Sequence, residues 1–487
     1  MSETFYITTT LPYVNAEPHI GFALEIVAAD VIARYQTVMG KTVIFNTGTD
    51  EHGQKIFQKA QENNQDPQEY VDFWASKFAD LKEILGVNYT HFIRTTDPRH
   101  KKAAQEFWKR CADAGDIYKK LYKTSYCVGC ELEKQASELV DGRCPLHPDK
   151  EIEIREEENY FFKFAKYQQD LLNLYETNKN FVKPDSKLKE IVAFVSGGLQ
   201  DFSISRLKSK MSWGVPVPGD DEHVMYVWFD ALVNYISTLG WPQDTENFEN
   251  YWPVIQLAGK DNLRQQSAMW QAMLMSAGIT NSKQILINGF ISVDGQKMSK
   301  SLGNVISPSD MVARYGTEAT RFLLMRLGPF GSDMDVSWEK FDTIYEALLS
   351  NNLGNTLSRI AKMCEKSQTG YSENAPEWDI MISEKENAQK IPALDNAKIN
   401  MEKFELRGAL TDIHIYSDMI EKKLSQTEPW KKSGAEQKEI LQSAIKSLIA
   451  LSDSLTPFMP ETAKKIQKHF SAEKIAALEP LFPRLSK

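Results

Sequence analysis

Between residues 4 and 115 the chain alternates two kinds of pattern, and no other feature narrows its possible folds as much. Short β-branched or aromatic runs at 4–10, 42–47 and 92–93 read as strands. After the first of them Ile20, Leu24, Val27, Ala28, Val31 and Tyr35 keep helical spacing, and further helices are expected over 53–64, 68–85 and 98–114. Strands separated by helices build a parallel sheet through crossover connections. Pro12 and Pro18 punctuate the first junction, ending the strand and delaying the helix until His19-Ile20-Gly21-Phe22. A turn of this kind aims free backbone N–H groups and a positive dipole end at one spot, which suits phosphate. His19 would add a donor there, and Gly21 would let a ligand approach the backbone. The competing reading is a plain strand–helix turn with a surface histidine.

Two nucleotide signatures are absent. No Gly-x-Gly-x-x-Gly follows a strand, which excludes the dinucleotide fingerprint. Gly40-Lys41-Thr42 imitates the tail of a phosphate loop, but Tyr35 stands where its first glycine belongs and the helix precedes the strand. It reads as a helix stop. With 487 residues, the chain has length for roughly three domains. No apolar run is long enough to span a bilayer and no export signal is expected, which points to the cytoplasm and to no membrane partner. A net charge of −9 does not exclude nucleic acid, which needs only a local basic face.

From Tyr118 to about Asp221 the alternation lapses. Cys127-x2-Cys130 and Cys144-x2-His147 form two knuckles, each able to give two ligands to one tetrahedral Zn2+; four protein ligands would close the site and make it structural. Unligated buried cysteines are the alternative. Alternation returns with strands expected at 223–229, 254–258 and 284–288 and helices at 231–239 and 261–276. One parallel-sheet domain interrupted by an insertion is the simplest account. Beyond Ser307-Pro308-Ser309-Asp310, a helix-start signal, helical periodicity dominates. Asp294-Gly295 marks a tight hairpin turn leading into Gln296-Lys297-Met298-Ser299-Lys300-Ser301. Ammonium groups on a mobile loop can neutralise a triphosphate as charge develops on it. A solvated basic loop is the plainer alternative.

Taken together, His19-Ile20-Gly21-Phe22 and Lys297-Met298-Ser299-Lys300-Ser301 resemble the two signatures of the class I aminoacyl-tRNA synthetases. The resemblance implies a Rossmann-like parallel-sheet domain split by a zinc-knuckle insertion and followed by an all-α anticodon-binding domain. Thr10-Leu11-Pro12-Tyr13-Val14-Asn15, Gly48-Thr49-Asp50-Glu51-His52-Gly53, Tyr226-Val227-Trp228-Phe229-Asp230-Ala231 and Gly259-Lys260-Asp261 resemble substrate segments of the methionine-specific branch. The boundaries implied are 1–117 and 223–295 for the two catalytic halves, 118–222 for the insertion, 296–350 for the lysine loop and stem-contact region, and 351–487 for the helical domain.

On that resemblance the chain activates L-methionine with ATP and Mg2+, releasing pyrophosphate, and passes the methionyl group to the 3′-terminal adenosine of tRNA(Met), initiator included. His19, Lys297 and Lys300 would be catalytic, with Gly21, Phe22 and Ser299 also at ATP. Leu11, Tyr13, Asp50, Trp228, Ala231, Tyr235 and Gln266 would hold methionine: Asp50 by pairing its ammonium, the aromatics by enclosing a polarizable thioether. Asn355, Arg359 and Trp430 would read the anticodon by edge contacts and stacking.

Phe22 departs from the family's second histidine in the first signature. Asn262-Leu263-Arg264-Gln265-Gln266 departs from a run that usually reads Ile-Leu-Arg-Phe-His, so Gln266 stands where a pocket histidine is expected. The chain ends after the helical domain, and a monomer is expected. The rivals are a class I synthetase for another apolar amino acid and a non-catalytic zinc-containing RNA-binding paralogue.

Overall fold

Strands β1 (Thr4–Thr8), β2 (Thr42–Thr49), β3 (His91–Arg94), β4 (Val182–Lys183), β5 (Ile255–Gly259) and β6 (Gln284–Asn288) make one parallel sheet in the order β3-β2-β1-β5-β6-β4. This computed structural model describes residues 3–130, 132–134, 138–298, 303–328, 330–383 and 390–485. The chain divides by its contacts into two units. One is Met1–Pro18, Thr42–Asp80 and Tyr89–Asn288; the other is His19–Lys41, Leu81–Asn88 and Gly289–Lys487.

The sheet lies in the first unit. β5 and β6 are each buried at four of five residues, as strands covered on both faces must be. Sequence order reverses between β1 and β5, and ligands of parallel α/β sheets bind outside the carboxyl ends of strands at such a reversal. Leu11 and Tyr13 follow β1, Asp50 follows β2, and Lys260 and Asp261 follow β5. An antiparallel sheet of Leu132–Lys134, Ile117–Cys127, Ile152–Phe162 and Phe202–Ser203 extends the same unit. The unit's main core gathers Phe107, Trp108, Phe162, Phe229, Tyr235 and Trp270.

Three expectations need correction. The apolar run at 223–229 is not one strand: Asp220–Met225 pairs antiparallel with Ser205–Leu207, and Val227–Ala231 is helical. A short apolar run fits a buried strand or a buried helix equally well, and periodicity cannot separate them. The helix expected at 261–276 is broken into a 3-10 turn at Lys260–Asn262, a π turn at Gln265–Met269 and an α-helix at Trp270–Ser276. Finally β4, two residues long and inside the lapse in alternation, had no pattern to mark it.

In the second unit, helix α1 (Ile20–Val38) buries Asp30. That carboxylate accepts from Arg34 Nε at 2.6 Å, from the Asn88 amide at 2.7 Å, and pairs with Arg321 Nη2 at 2.7 Å. Arg321 is itself wholly buried and donates to the carbonyls of Leu85, Pro457 and Phe458. Four otherwise distant stretches are therefore tied at one point. The start signal at Ser307 closes a capping box with Asp310, opening the helix Pro308–Tyr315. Replacing Arg321 with alanine removes one of the two guanidinium groups on Asp30 and leaves three buried carbonyls without their donor, at an expected cost of about 3–5 kcal/mol. Guanidinium unfolding of Arg321→Ala measures it, and an unchanged midpoint would contradict the network.

Candidate active site

His19 is the N-cap of α1, and its Nδ1 accepts from the Gly21 amide at 3.0 Å. The Ile20 amide donates to Ile306 O, and the Phe22 and Ala23 amides donate to His19 O, each at 3.1 Å. The expectation of free N–H groups at this helix start is thus overturned: the protein uses them itself. The dipole end stays positive. Because Nδ1 is an acceptor, the neutral ring carries its proton on Nε2, and exposed His19 becomes a donor by that atom.

A Cβ at Gly21 would stand 2.7 Å from His19 Cε1 and 3.9 Å from Met298 Cε. Glycine is what lets the imidazole fold over the helix start, and Met298 of the second signature lies against the same spot. The hairpin delivering it pairs Ile291–Val293 with Gln296–Lys297 across Asp294 (φ 52°) and Gly295 (φ 74°), the two positive angles of a type I′ turn. Asp335 holds the turn, accepting from Gly295 N at 2.6 Å and Ser292 Oγ at 2.8 Å. Its carboxyl is pulled down to about 2, chiefly by Lys340. Lys297 is exposed, and its carbonyl accepts from Asn304 Nδ2. Ser299 and Lys300 lie outside the described residues. Phe22, half-buried in the first turn, supplies no hydrogen-bonding group from its side chain.

In the first unit Tyr13 and Asp50 form a parallel bridge just past β1 and β2, and Tyr13 OH donates to His52 O at 2.7 Å. Asp50 is buried and is not a helix cap: Gly53 caps Gln54–Glu62. Sequence reasoning missed what holds this segment. Glu51, fully buried, accepts two bonds from Arg94 and one each from Thr49 and Thr96. His52 Nδ1 lies 3.0 Å from Asp230, and His100 lies 3.5 Å from the same carboxylate. Burial would raise the Asp230 carboxyl, but the two histidines outweigh it and hold it below its ordinary range. The only hint in sequence was that Glu51, His52 and Asp230 sit inside the quoted segments. Trp228, half-buried, and Ala231 lie on the helix Val227–Ala231, and Tyr235 follows on Asn234–Ser237. Gln266 Nε2 donates to Tyr235 OH at 2.7 Å, which joins two of the residues assigned to methionine. Leu11 is half-buried after β1.

The ligand atoms of Cys127, Cys130, Cys144 and His147 all lie within 4.8 Å of one another. Cys130 Sγ is 3.4 Å from Cys144 Sγ and 3.2 Å from His147 Nδ1, and Cys127 Sγ is 4.0 Å from that nitrogen. A tetrahedral ion with bonds of 2.0–2.3 Å separates its ligands by about 3.3–3.8 Å, so these four can hold a metal ion. A Cβ at Gly129 would fall 2.4 Å from the His147 ring, so glycine makes room for that ligand.

Asn355 is exposed at the start of Asn355–Ser367. Arg359 stands 5.5 Å over the ring of Trp430, which is 46% exposed, and pairs with Glu421. Guanidinium and indole are brought together at the surface.

A parallel sheet with a reversal of strand order in the first unit, and two signature segments meeting at a helix start in the second, are features of a class I tRNA synthetase. The family model described as tRNA synthetases class I (M) matches residues 5–151 and 129–361. The chain is 39% identical to a methionine–tRNA ligase of Nostoc sp., over 95% of this chain and 89% of that one. It is 47% identical to one from Thermosynechococcus vestitus, over 77% and 72%. A solved Mycobacterium tuberculosis methionyl-tRNA synthetase in complex with methionyl-adenylate superposes with a TM-score of 0.90 at 34% identity, covering 99% of this chain and all of that one. The chain belongs to the class I methionine–tRNA ligase family. No helix among the described residues is long and apolar enough to cross a membrane.

Two outcomes follow. A carboxyl depressed in the folded state stabilises above its unfolded pKa, about 3.9, and loses that contribution as pH falls through its folded value. The stability gap between wild type and Asp230→Asn, measured by urea unfolding, should therefore be full at pH 7 and shrink below about pH 4. Gly129→Ala should lower bound metal per chain, read by elemental analysis, because its methyl displaces His147.

Proposed function

We propose that this chain activates L-methionine with ATP and charges tRNA(Met), initiator included, acting as a cytoplasmic monomer. The methionine carboxylate attacks the α-phosphorus, the bond to the β-phosphate oxygen breaks, and pyrophosphate leaves. A hydroxyl of the 3′-terminal adenosine then attacks the methionyl carbonyl, AMP departs, and no covalent enzyme intermediate forms. His19 donates from Nε2 to phosphate oxygen, and Lys297 with Lys300 offsets the charge that grows on the departing pyrophosphate, for which Mg2+ bound to ATP would supply further positive charge. Gly21, Phe22 and Ser299 complete the nucleotide contacts. Asp50 pairs with the substrate ammonium. Leu11, Tyr13, Trp228, Ala231, Tyr235 and Gln266 enclose the side chain.

Zn2+ is the ion assigned to Cys127, Cys130, Cys144 and His147, since three thiolates and an imidazole are a soft donor set without carboxylate. With all four ligands from protein it shapes the insertion rather than the reaction. Asn355, Arg359 and Trp430 are assigned to the anticodon. The domain division is taken as 1–117 with 223–295, 118–222, 296–350 and 351–487.

The observation that carries this reading is the meeting of Met298 with the Gly21–His19 helix start, in a chain of this family. The test is amino-acid-dependent exchange of pyrophosphate into ATP, offered methionine, leucine, isoleucine, valine and cysteine in turn. Exchange is expected with methionine, and His19→Ala should lower it roughly 100- to 1000-fold, the worth of one preorganised donor. A chain silent with methionine refutes the assignment.

A further inference from the structure

The helix Leu406–Thr427 of the second unit carries Arg407, Thr411, His414, Asp418 and Glu421 at alternating steps of four and three residues, so all five share one face. One end of that face is compensated. Glu421 pairs with Arg359, and Asp418 accepts from Asn352 Nδ2 and stands 3.5 Å from His414 Nε2. The other end is not. Arg326, half-buried in the last turn of the helix Thr317–Leu327, reaches this face and donates to Thr411 Oγ1. The Thr411 hydroxyl donates onward to the Arg407 carbonyl at 2.8 Å. Gly328 ends the Arg326 helix with φ 88°, and a Cβ there would fall 2.9 Å from Arg407 Cδ. Glycine is thus what lets the exposed Arg407 lie across the end of that helix.

Two guanidiniums are thereby held within reach of each other's charge. Burial first, and the Arg407 charge after it, push the Arg326 guanidinium below its ordinary value. His414 is lowered as well, chiefly by burial and in part by Arg326. Among the described residues no carboxylate lies in ion-pair range of Arg326 or Arg407, whereas Arg94, Arg314, Arg321 and Arg359 each have one. Arginine keeps its charge at any working pH, so losing a proton cannot relieve the repulsion. An anion placed between the two converts it into attraction, and the paired oxygens of a phosphate match the guanidinium fork.

We infer that Arg326 and Arg407 grip the phosphodiester backbone of the tRNA limb next to the anticodon, a contact that carries no sequence information. The inference rests on the reading that Asn355, Arg359 and Trp430 take the anticodon. Glu421, the partner of Arg359, lies about 21 Å from Arg407 along the same helix face, at a rise of 1.5 Å per residue. Amide, guanidinium and indole at one end and uncompensated cations at the other fit an RNA read at its loop and held by its stem. Base contacts specify and phosphate contacts position.

Two measurements on the full chain test this: the KM for tRNA(Met) in aminoacylation, and the dependence of tRNA affinity on salt. Arg407→Ala should raise that KM roughly tenfold, the worth of one charge-assisted hydrogen bond, and flatten the log–log salt slope by about one. Arg326→Gln should act in the same direction. Arg407→Lys, which keeps the charge but not the fork, should hold the slope while losing part of the affinity. Pyrophosphate exchange needs no tRNA and reports that each variant is folded. Because a backbone contact is indifferent to sequence, the loss should be equal for tRNA(Met) transcripts with transposed anticodon-stem base pairs. A loss that follows those base pairs overturns the inference. So does an unchanged KM and salt slope in Arg407→Ala and Arg407→Glu, with charging by the wild type intact. Should Trp430→Ala leave the tRNA KM unmoved, the anticodon reading falls and takes the inference with it.

Discussion

A carboxylate taken out of water must be met by charge or by several donors, and three buried carboxylates place most of the chemistry described above. Glu51, gripped by Arg94, Thr49 and Thr96, fixes the backbone between Asp50 and His52. Asp230 fixes the His52 ring, and the His52 carbonyl in turn takes the Tyr13 hydroxyl. Asp30 does the same for α1 through Arg321 and Arg34, so the helix that presents His19 is anchored by its own middle. Asp30 and Glu51 are not among the residues assigned to substrate. Each ties an adjacent stretch of backbone to distant partners.

Local chemistry was the legible part of this structure. Pro12 and Pro18 in the stretch between β1 and α1, Asp294-Gly295 with both φ values positive, the Ser307–Asp310 box and the Cys/His knuckles all act within a few residues. Short-range steric and hydrogen-bonding rules decide such features, so sequence carries them openly. The alternation of strand and helix likewise carried the parallel sheet.

What sequence concealed was decided by partners far away along the chain. Nothing near His19 announces that Ile306 will take the Ile20 amide, so the helix start looked more open than it is. Nothing near Val227 says that Asp220–Met225 will pair with Ser205–Leu207 and release the following residues into a helix. The same holds for the Arg321 hub and for the bonds of Ser282 with Gln256 and Gln271. Buried polar networks are set by tertiary placement, and residue type shows only that each member needs a partner.

The two departures from the family, Phe22 and Gln266, differ in what replaces the missing imidazole. At Phe22 the side chain offers no donor, whereas His19 at the same helix start keeps a proton on Nε2, set by the Gly21 amide. At Gln266 the replacement is itself polar, but a lone amide would leave its orientation open. Orientation is what Gln256 supplies, and Gln256 takes it from Ser282. A neutral amide thus stands in place of a titratable ring, with its orientation set by its buried neighbours. In return the site loses the imidazole's freedom to donate or accept as the ligand requires.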